Sequence, residues 1–295
     1  MLSILIPVYN YDISNLVREI HQQASESKIK FEIICCEDGS DKYIDENKST
    51  IDSLTYAKSI TSKKNLGRTQ SRQLLSDASI YNWLLFFDSD VMPKNDTFIK
   101  NYIKSISIEY DALYGGFAYE NSKPESNYIL RWKYGKKFEE VGASKRNSHP
   151  YQIVISGNFL IKKDIFKNIN AKIKRKSYGL DNYFGILLKQ GSIRVKHLNN
   201  PVFHLGLDES HIYLAKTEEA IDTLLWLLEK NKVFAHENKL LSVFCFLKKY
   251  KLNSIVSYCF KNLSPIMKNN ITSSKPNIFL FQFYKIGYMC YKDLK

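Results

Sequence analysis

The sequence lacks the long apolar runs of a membrane-spanning protein and the cysteine pattern of a disulfide-stabilised or zinc-binding one. No apolar stretch among its 295 residues approaches the length of roughly 18–20 residues that a membrane-spanning helix requires. Residues 1–7 (MLSILIP) have no basic segment before their apolar run and no small-residue cleavage site, so we expect a first strand and not a signal peptide. The five cysteines are odd in number, and Cys35 and Cys36 are adjacent in an apolar run. This pattern disfavours a disulfide framework or a zinc site and favours reduced thiols in a cytoplasmic protein.

Acidic residues are the scarcer charge, with 30 Asp and Glu against 43 Lys and Arg, which gives a formal net charge of +13. The excess favours anionic partners such as nucleotide phosphates, a pyrophosphate-linked acceptor or an anionic membrane that the protein contacts peripherally. A general preference for lysine is the alternative explanation. The lysines are spread along the chain without an arginine-rich arm or a nucleic-acid-binding module, so nucleic acid is not an expected partner.

Short apolar runs alternate with helical patterns in the first half of the chain, which is typical of βαβ units. We predict strands at residues 2–8, 31–36, 83–87 and 112–119, the last bent at Gly115-Gly116. Residues 120–150 are polar and aromatic and favour an insertion or loop, and a helical pattern begins near Tyr213, with breaks at Pro265 and Pro276. The sequence therefore predicts an α/β domain at 1–210, with a mostly parallel central sheet flanked by helices, and a helical, basic and aromatic extension at 211–295.

Asp88-Ser89-Asp90 directly follows the apolar run Trp83–Phe87, which indicates a strand buried on both faces. Ligands of parallel sheets bind beyond the carboxyl ends of the strands, where these carboxylates emerge. Two acids so close together repel each other and are costly to desolvate, and a divalent cation such as Mg²⁺ or Mn²⁺ relieves both costs. The alternative is a pair of solvated loop acids.

Three further segments precede this motif: residues 3–10 (SILIPVYN), residues 37–40 (EDGS), and Asn65-Leu66-Gly67 followed by Arg72. In this order the four segments resemble the family-2 inverting glycosyltransferases, whose fold is GT-A, of the nucleotide-diphospho-sugar transferase superfamily. The resemblance covers about residues 1–210. It implies transfer of a sugar from a nucleotide-diphosphate donor, expected to be a UDP-sugar, to a hydroxyl of a glycan or lipid-linked saccharide acceptor in surface polysaccharide biosynthesis.

The resemblance also implies a set of residues that bind the nucleotide part of the donor. They are Pro7, Val8, Tyr9, Asp38, Asn65, Gly67, Arg72, Asp88 and Ser89. Asp38 would accept a hydrogen bond from the base, and the first-strand residues would lie beneath the nucleoside, although Tyr9 can instead pack in the core. The sequence has Ser71-Arg72-Gln73 where the family often has Ala-Arg-Asn, which leaves Arg68 and Lys64 as alternative phosphate ligands.

The remaining site residues follow from the same resemblance. Asp90 and Asp88 would hold the Mn²⁺ or Mg²⁺ ion, with His204 as a further ligand and His211 as the alternative to it. Gly157, Asn158 and Leu180 would line the donor and acceptor pocket. Asp181 would be the general base, although the family pattern has an acid where this chain has Leu180, and an acid at a helix N-terminus is the alternative interpretation. The basic residues 172–176 are candidates to close over the diphosphate or to receive an acidic acceptor, and a solvated loop is the alternative.

Two other classes of protein remain open from the sequence. Phosphatases of the haloacid-dehalogenase type also carry Asp-x-Asp after an apolar strand, with the first Asp as nucleophile, but normally on their first strand. A nucleotide-sugar-binding or scaffold subunit without turnover is the non-enzymatic alternative, which the missing acids around Asp181 favour.

Overall fold

The computed structural model describes residues 1–230, 232–234 and 238–295. The chain divides into two compact units. The first comprises Met1–Ala118, Glu140–Lys176 and Leu187–Gly206, and the second comprises Tyr119–Glu139, Ser177–Ile186 and Leu207–Lys295.

A seven-stranded sheet forms the centre of the first unit, in the order β3-β2-β1-β4-β8-β6-β9. Its strands are β1 (Leu2–Val8), β2 (Phe31–Asp38), β3 (Ala57–Ser62), β4 (Trp83–Phe87), β6 (Ala112–Tyr114), β8 (Asn158–Lys162) and β9 (Val195–His197). All neighbouring strands are parallel except those that pair with β8, which is antiparallel to both β4 and β6. The predicted α/β class with a mostly parallel central sheet is therefore confirmed.

Burial explains why the inner strands form where the sequence predicted them. The strands β1 and β4 have the predicted bounds, and β2 extends two residues beyond the predicted end to Asp38. Nearly every residue of these three strands is buried, as in a parallel sheet covered on both faces. The strand β3 was not predicted, because its half-buried residues lack a continuous apolar run.

A second sheet of three short strands lies in the same unit, in the order β5-β10-β7. These strands are β5 (Val91–Pro93), β7 (Phe117–Ala118) and β10 (Val202–His204). The predicted strand at 112–119 is thus two strands, β6 and β7, which belong to different sheets on either side of the Gly115-Gly116 bend.

α-Helices, together with a short 3-10 helix at Ser126–Tyr128, account for the rest of the regular structure in the described residues. Those in the first unit are α1 (Ser14–Glu26), α2 (Ile44–Asp52), α3 (Arg68–Ala78), α4 (Phe98–Ser105), α6 (Ala143–Asn147) and α7 (Lys163–Asn170). Those in the second are α5 (Ile129–Phe138), α9 (Ser210–Glu229), α10 (Lys239–Lys249), α11 (Asn253–Ile271) and α12 (Ile278–Asp293), and α8 (Asp181–Gln190) begins there.

The structure differs from two expectations about irregular structure, a loop at residues 120–150 and a break at Pro265, whereas residues 119–139 do form an insertion in the chain between segments of the first unit. Residues 120–150 contain α5 and α6, and Ile129 and Leu130 at the start of α5 are fully buried, although polar residues obscure the helical period. Pro265 does not break the last part of the chain but lies inside α11. A proline deprives the carbonyl four residues earlier of its helical partner, and the Ser264 hydroxyl donates to that carbonyl, of Lys261, at 3.5 Å.

The second unit has its own apolar core. Its buried members are Leu130, Tyr213, Leu214, Phe260, Met267, Ile271, Phe281 and Tyr284. Residues 119–139 and 177–186 thus belong to the same compact unit as the helices after residue 206. Within the described ranges, no helix is both long enough and apolar enough to cross a membrane.

Candidate active site

The carboxyl ends of β1, β2 and β4 lie at one edge of the central sheet, because these strands are parallel neighbours. Val8 pairs with Glu37 in the register of β1 and β2. Beyond the strands, the Asn10 N–H donates to Ser40 Oγ (3.0 Å), and the Asp41 N–H donates to Asn10 Oδ1 (2.8 Å). These bonds hold the ends of β1 and β2 together at this edge of the sheet.

The three predicted residues at the end of β1 differ in exposure. Pro7 is half-buried and Val8 is buried, whereas Tyr9 is 53% exposed. Tyr9 therefore does not pack in the core, and its aromatic ring is accessible from solvent. A place beneath the nucleoside stays a prediction for all three.

Asp38, at the end of β2, accepts hydrogen bonds from the turn that precedes α3. The backbone N–H of Leu66 donates to Asp38 Oδ1 (2.7 Å) and that of Gly67 donates to Oδ2 (2.9 Å). The carboxylate is almost completely buried, and each of its oxygens has a further lone pair for a ligand. Asp38 therefore positions the turn that carries Asn65 and Gly67, two of the predicted nucleotide-binding residues.

Gly67 ends this turn with a φ of 86°, a left-handed conformation that glycine adopts without strain, and α3 begins at the next residue. Lys176, from the basic run at 172–176, reaches the same turn. Its Nζ donates to the Asn65 backbone carbonyl (2.9 Å) and to Asn65 Oδ1 (2.7 Å). The structure thus brings Asn65, Gly67 and a lysine of the predicted closing segment together.

Arg72 is buried beneath the edge of the sheet. One of its guanidinium nitrogens donates both to Asp88 Oδ1 (2.7 Å) and to the Ser156 backbone carbonyl (2.6 Å). The guanidinium also lies 5.7 Å from the ring centre of Phe86 and 5.5 Å from that of Phe159. Arg72 therefore links the end of β4 to the segment before β8.

Arg68 is the more accessible cation at this edge, with a side chain that is 45% exposed. It donates to Ser156 Oγ (3.2 Å) and lies 3.7 Å from Asp88 Oδ2. Burial raises the pKa of Asp88, but the positive charges of Arg68 and Arg72 outweigh it, so the pKa lies below its usual value. Asp88 is therefore an ionised carboxylate held by two arginines.

Replacing Arg72 by Met should lower the free energy of unfolding by about 3–5 kcal/mol, because the Asp88 carboxylate loses its buried partner. Urea unfolding measures this loss as a lower midpoint at unchanged slope. The matched control is Arg68→Met at the half-exposed arginine beside the same carboxylate, with an expected loss within about 1 kcal/mol. Equal losses in the two variants would contradict the role of Arg72 as the buried partner.

Asp90 faces His204 because the small sheet brings their strands together. His204 pairs with Val91 in the antiparallel register of β10 and β5, and His204 Nε2 lies 3.8 Å from Asp90 Oδ2. The N–H of Leu205 donates to the Asp90 carbonyl (2.8 Å). A Cβ at Gly206 would overlap the Asp90 side chain, so this approach requires glycine. Sequence reasoning missed Gly206, although it follows the predicted ligand His204 by two residues.

The surroundings of Asp90 are such that a bound cation would stabilise its ionised carboxylate. Burial raises its pKa, His204 lowers it and the neighbouring Asp88 raises it, so that the pKa lies above its usual value. A carboxylate and an imidazole are ligands that Mn²⁺ accepts. Asp90 and His204 thus fit a divalent metal ion, whereas Asp88 Oδ1 accepts from Arg72.

The rest of a coordination sphere would have to come from the donor and from water. In the part of the chain that the structure describes, no group of three or more His, Cys, Asp or Glu side chains is placed to hold a metal ion. His211, the alternative to His204, belongs to the second unit, where its Nδ1 lies 3.5 Å from Glu209 Oε2.

Asn158 makes buried hydrogen bonds to the backbone around the site. It is completely buried, and its Oδ1 accepts from the Tyr102 hydroxyl (2.6 Å). Its Nδ2 donates to the carbonyls of Gly116 and Asn200, each at 2.9 Å. The preceding Gly157 lies at the edge itself, where its carbonyl accepts from the Asp88 N–H (3.3 Å). Of the three residues predicted to line the pocket, Gly157 is therefore beside Asp88, and Asn158 holds the surrounding backbone.

Leu180 and Asp181 lie in the second unit, at the start of α8. Leu180 is buried, and its carbonyl accepts from the Phe184 N–H (2.9 Å), while Asp181 is half-buried in the first turn of the helix. The Tyr178 N–H before them donates to Glu219 Oε1 (2.8 Å). An apolar, buried side chain thus occupies the position where the family pattern has its first acid.

Comparison with known proteins identifies the family. Residues 3–169 match the family model for glycosyl transferase family 2, which is more than half of the chain. The chain therefore belongs to glycosyl transferase family 2, and its fold is GT-A. No curated protein matches the sequence closely enough to count as a relative.

Solved structures with the same fold include three at low sequence identity. S. aureus TarS 1-349 in complex with UDP-GlcNAc is 16% identical over 76% of this chain and 66% of its own, with a TM-score of 0.50. The mannosyltransferase PcManGT from Pyrobaculum calidifontis, with GDP-Man and Mn²⁺, is 10% identical over 77% and 64%, with a TM-score of 0.50. Glucosyl-3-phosphoglycerate synthase from Mycobacterium tuberculosis, with Mn²⁺, UDP and glucosyl-3-phosphoglycerate, is 12% identical over 76% and 78%, with a TM-score of 0.50. The chain spans slightly less than two thirds of the first two structures.

Proposed function

We propose that this protein is a metal-dependent inverting glycosyltransferase that uses a nucleotide-diphosphate sugar. The observation that carries the proposal is the arrangement of Asp90 and His204, 3.8 Å apart, beside the arginine-bound Asp88 at the carboxyl edge of the sheet. Membership of glycosyl transferase family 2 supports it, and the haloacid-dehalogenase alternative has no such support.

The donor nucleotide would lie along the edge formed by the ends of β1, β2 and β4. Tyr9 offers an accessible ring, and Asp38 offers lone pairs next to the turn that it fixes. Arg68 would neutralise the diphosphate, since its guanidinium is half-exposed while that of Arg72 is buried. Among the similar structures, two contain UDP or a UDP-sugar and one contains GDP-mannose, and we favour a UDP-sugar for this chain.

The metal site would be held by Asp90 and His204, with Asp88 next to it. Mn²⁺ or Mg²⁺ bound there would stabilise the negative charge that develops on the departing nucleoside diphosphate. Two of the similar structures contain Mn²⁺, which supports this part of the proposal.

Asp181 would be the general base. As the residue left from the acidic pattern of the family, its carboxylate would take the proton from an acceptor hydroxyl while that oxygen attacks the anomeric carbon opposite the diphosphate. One in-line displacement inverts the anomeric configuration. Gly157 and Leu180 would line the donor and acceptor pocket, where Asn158 would hold the backbone in place, and Ser89 would bind the nucleotide.

The acceptor would be a glycan or a lipid-linked saccharide of surface polysaccharide biosynthesis, handled in the cytoplasm. We assign residues 1–210 the nucleotide-sugar-binding and catalytic role and residues 211–295 the role of a helical extension. The basic character of the chain is compatible with a phosphate-linked acceptor.

The proposal predicts a metal-dependent increase in thermal stability with one nucleoside diphosphate. UDP, GDP, CDP and TDP would be tested with and without Mn²⁺, with UMP and Mn²⁺ as the control that lacks the second phosphate. A ligand at 100 times its dissociation constant stabilises the folded state by about 2.7 kcal/mol, which is a shift of several degrees in the midpoint. We expect that shift for UDP with Mn²⁺.

The other outcomes of the thermal-shift experiment distinguish the transferase from the remaining classes of protein. The absence of a shift with every diphosphate would contradict donor binding at this edge. A UDP shift together with neither sugar transfer nor donor hydrolysis would favour the nucleotide-sugar-binding subunit without turnover.

A further inference from the structure

An apolar stripe on α11 faces away from the core of the second unit. Ile255, Tyr258, Leu263 and Ile266 are 61%, 72%, 50% and 68% exposed. They recur at helical spacing, so they share one side of the helix. Phe260, Met267 and Ile271 of the same helix are buried in the core, at positions that fall on the opposite side. The helix α11 is therefore apolar on both of its faces, and only one of them is covered within the described residues.

The preceding helix has a similar surface. Val243, Phe246 and Tyr250, on α10 and directly after it, are 51%, 57% and 57% exposed at spacings of three and four residues. The rings of Phe246 and Tyr250 contact each other, with centres 4.8 Å apart. Exposed apolar side chains thus form a series along two consecutive helices. Apolar residues that are merely scattered over a surface do not form such a series.

The segment that carries these helices is almost entirely positive in charge. Residues 238–295 contain ten lysines and one acid, Asp293, and so supply most of the net charge of the chain. Lys248, Lys268 and Lys292 form ion pairs with acids of the second unit. Other lysines of the segment are exposed to solvent: Lys239, Lys249, Lys251, Lys261, Lys275 and Lys295.

We propose that the exposed face of α10 and α11 binds the surface of an anionic lipid bilayer. An interfacial helix inserts its apolar side chains at the level of the headgroups while the flanking lysines attract anionic lipids, and this segment supplies both components. Charge decides against a second copy of the chain as the occupant, since a symmetric contact would bring two sets of lysines together. The inference goes beyond the proposed transferase activity and stands without it.

Sedimentation of the full chain with vesicles tests the proposal. We expect binding to vesicles of phosphatidylcholine with phosphatidylglycerol and little binding to phosphatidylcholine alone, and the binding should weaken as salt rises. Ile255→Ser with Ile266→Ser should weaken the partition by about tenfold or more, since binding scales with buried apolar area. The control is Ile80→Ser with Ile108→Ser, because these isoleucines of the first unit are at least as exposed on average.

A charge variant tests the attraction between the lysines and the anionic lipids. Replacing Lys249, Lys251 and Lys261 by Gln should weaken binding on the order of a hundredfold, at about fivefold for each lysine near an anionic surface. The matched control replaces three exposed lysines of the first unit, Lys30, Lys100 and Lys104. An unchanged thermal midpoint shows in each case that the variant is folded.

Three outcomes would overturn the proposal. The first is no binding to the anionic vesicles, and the second is binding that neither variant weakens. The third is a dimer in analytical ultracentrifugation that Ile255→Ser with Ile266→Ser dissociates while vesicle binding is absent, which would assign the face to a second copy. Nucleotide binding measured on the same samples reports on the proposed function separately.

Discussion

Asp90→Asn should abolish the Mn²⁺ dependence of UDP binding and lower the rate of sugar transfer by about a thousandfold, the several kcal/mol that a metal ion contributes to stabilising transition-state charge. The amide keeps the size of the side chain and removes its charge. Because Asp90 is the carboxylate next to His204, and Asp88 is held by arginines, the remaining groups cannot replace it. The thermal midpoint with UDP, with and without Mn²⁺, and the initial rate of transfer are the two measurements.

The control for this variant is Asp96→Asn, which makes the same change at an exposed acid six positions along the chain. It should leave both measurements unchanged. Retention of a full Mn²⁺-dependent shift in Asp90→Asn would contradict the metal-binding role. Loss of the folded state would appear as a lower midpoint without ligand, so the two failures are distinguishable.

The strands that carry the site were predictable because their physical cause is local. The runs of β1 and β4 are apolar almost without interruption, as expected of strands covered on both faces, and their bounds were predicted correctly. The strand β3 was missed because it is an edge strand paired with β2, and its side chains are half-buried or exposed without an apolar run. Nothing in its composition distinguishes it from a loop.

The contacts within the site were less predictable than its members. Asp90 and His204 were both candidates from the sequence, but their approach depends on the pairing of β5 with β10, two three-residue strands far apart in the chain. Strands of that length carry too few residues for a periodic pattern. The need for glycine at position 206 arises from the same pairing.

Arg72 illustrates how a motif can identify a residue without its environment. The sequence predicted Arg72 near the diphosphate, and the structure places its guanidinium between Asp88 and the rings of Phe86 and Phe159. The ring of Phe159 comes from β8, the antiparallel strand of the sheet, and that pairing is a long-range property. The more exposed Arg68 is therefore the better candidate for a phosphate contact.

The general base gives the second large expected effect. Asp181→Asn should lower the rate of transfer by about 10²–10⁴-fold, the contribution of a positioned base. It should leave the UDP and Mn²⁺ thermal shift intact, because this residue is assigned to the acceptor and not to the nucleotide. The loss should fall on kcat.

The alternative for Asp181 is an acid that stabilises the N-terminus of α8 through the helix dipole, and Asp164 provides the matched control. Asp164 is likewise in the first turn of its helix, α7, and it is exposed. Asp164→Asn should cost about 0.3–1 kcal/mol of stability and none of the activity. If Asp181→Asn shows the same small loss of stability with full transfer, the residue supports the helix and the base lies elsewhere. If donor binding falls as much as transfer, Asp181 contributes to the donor and not to proton removal.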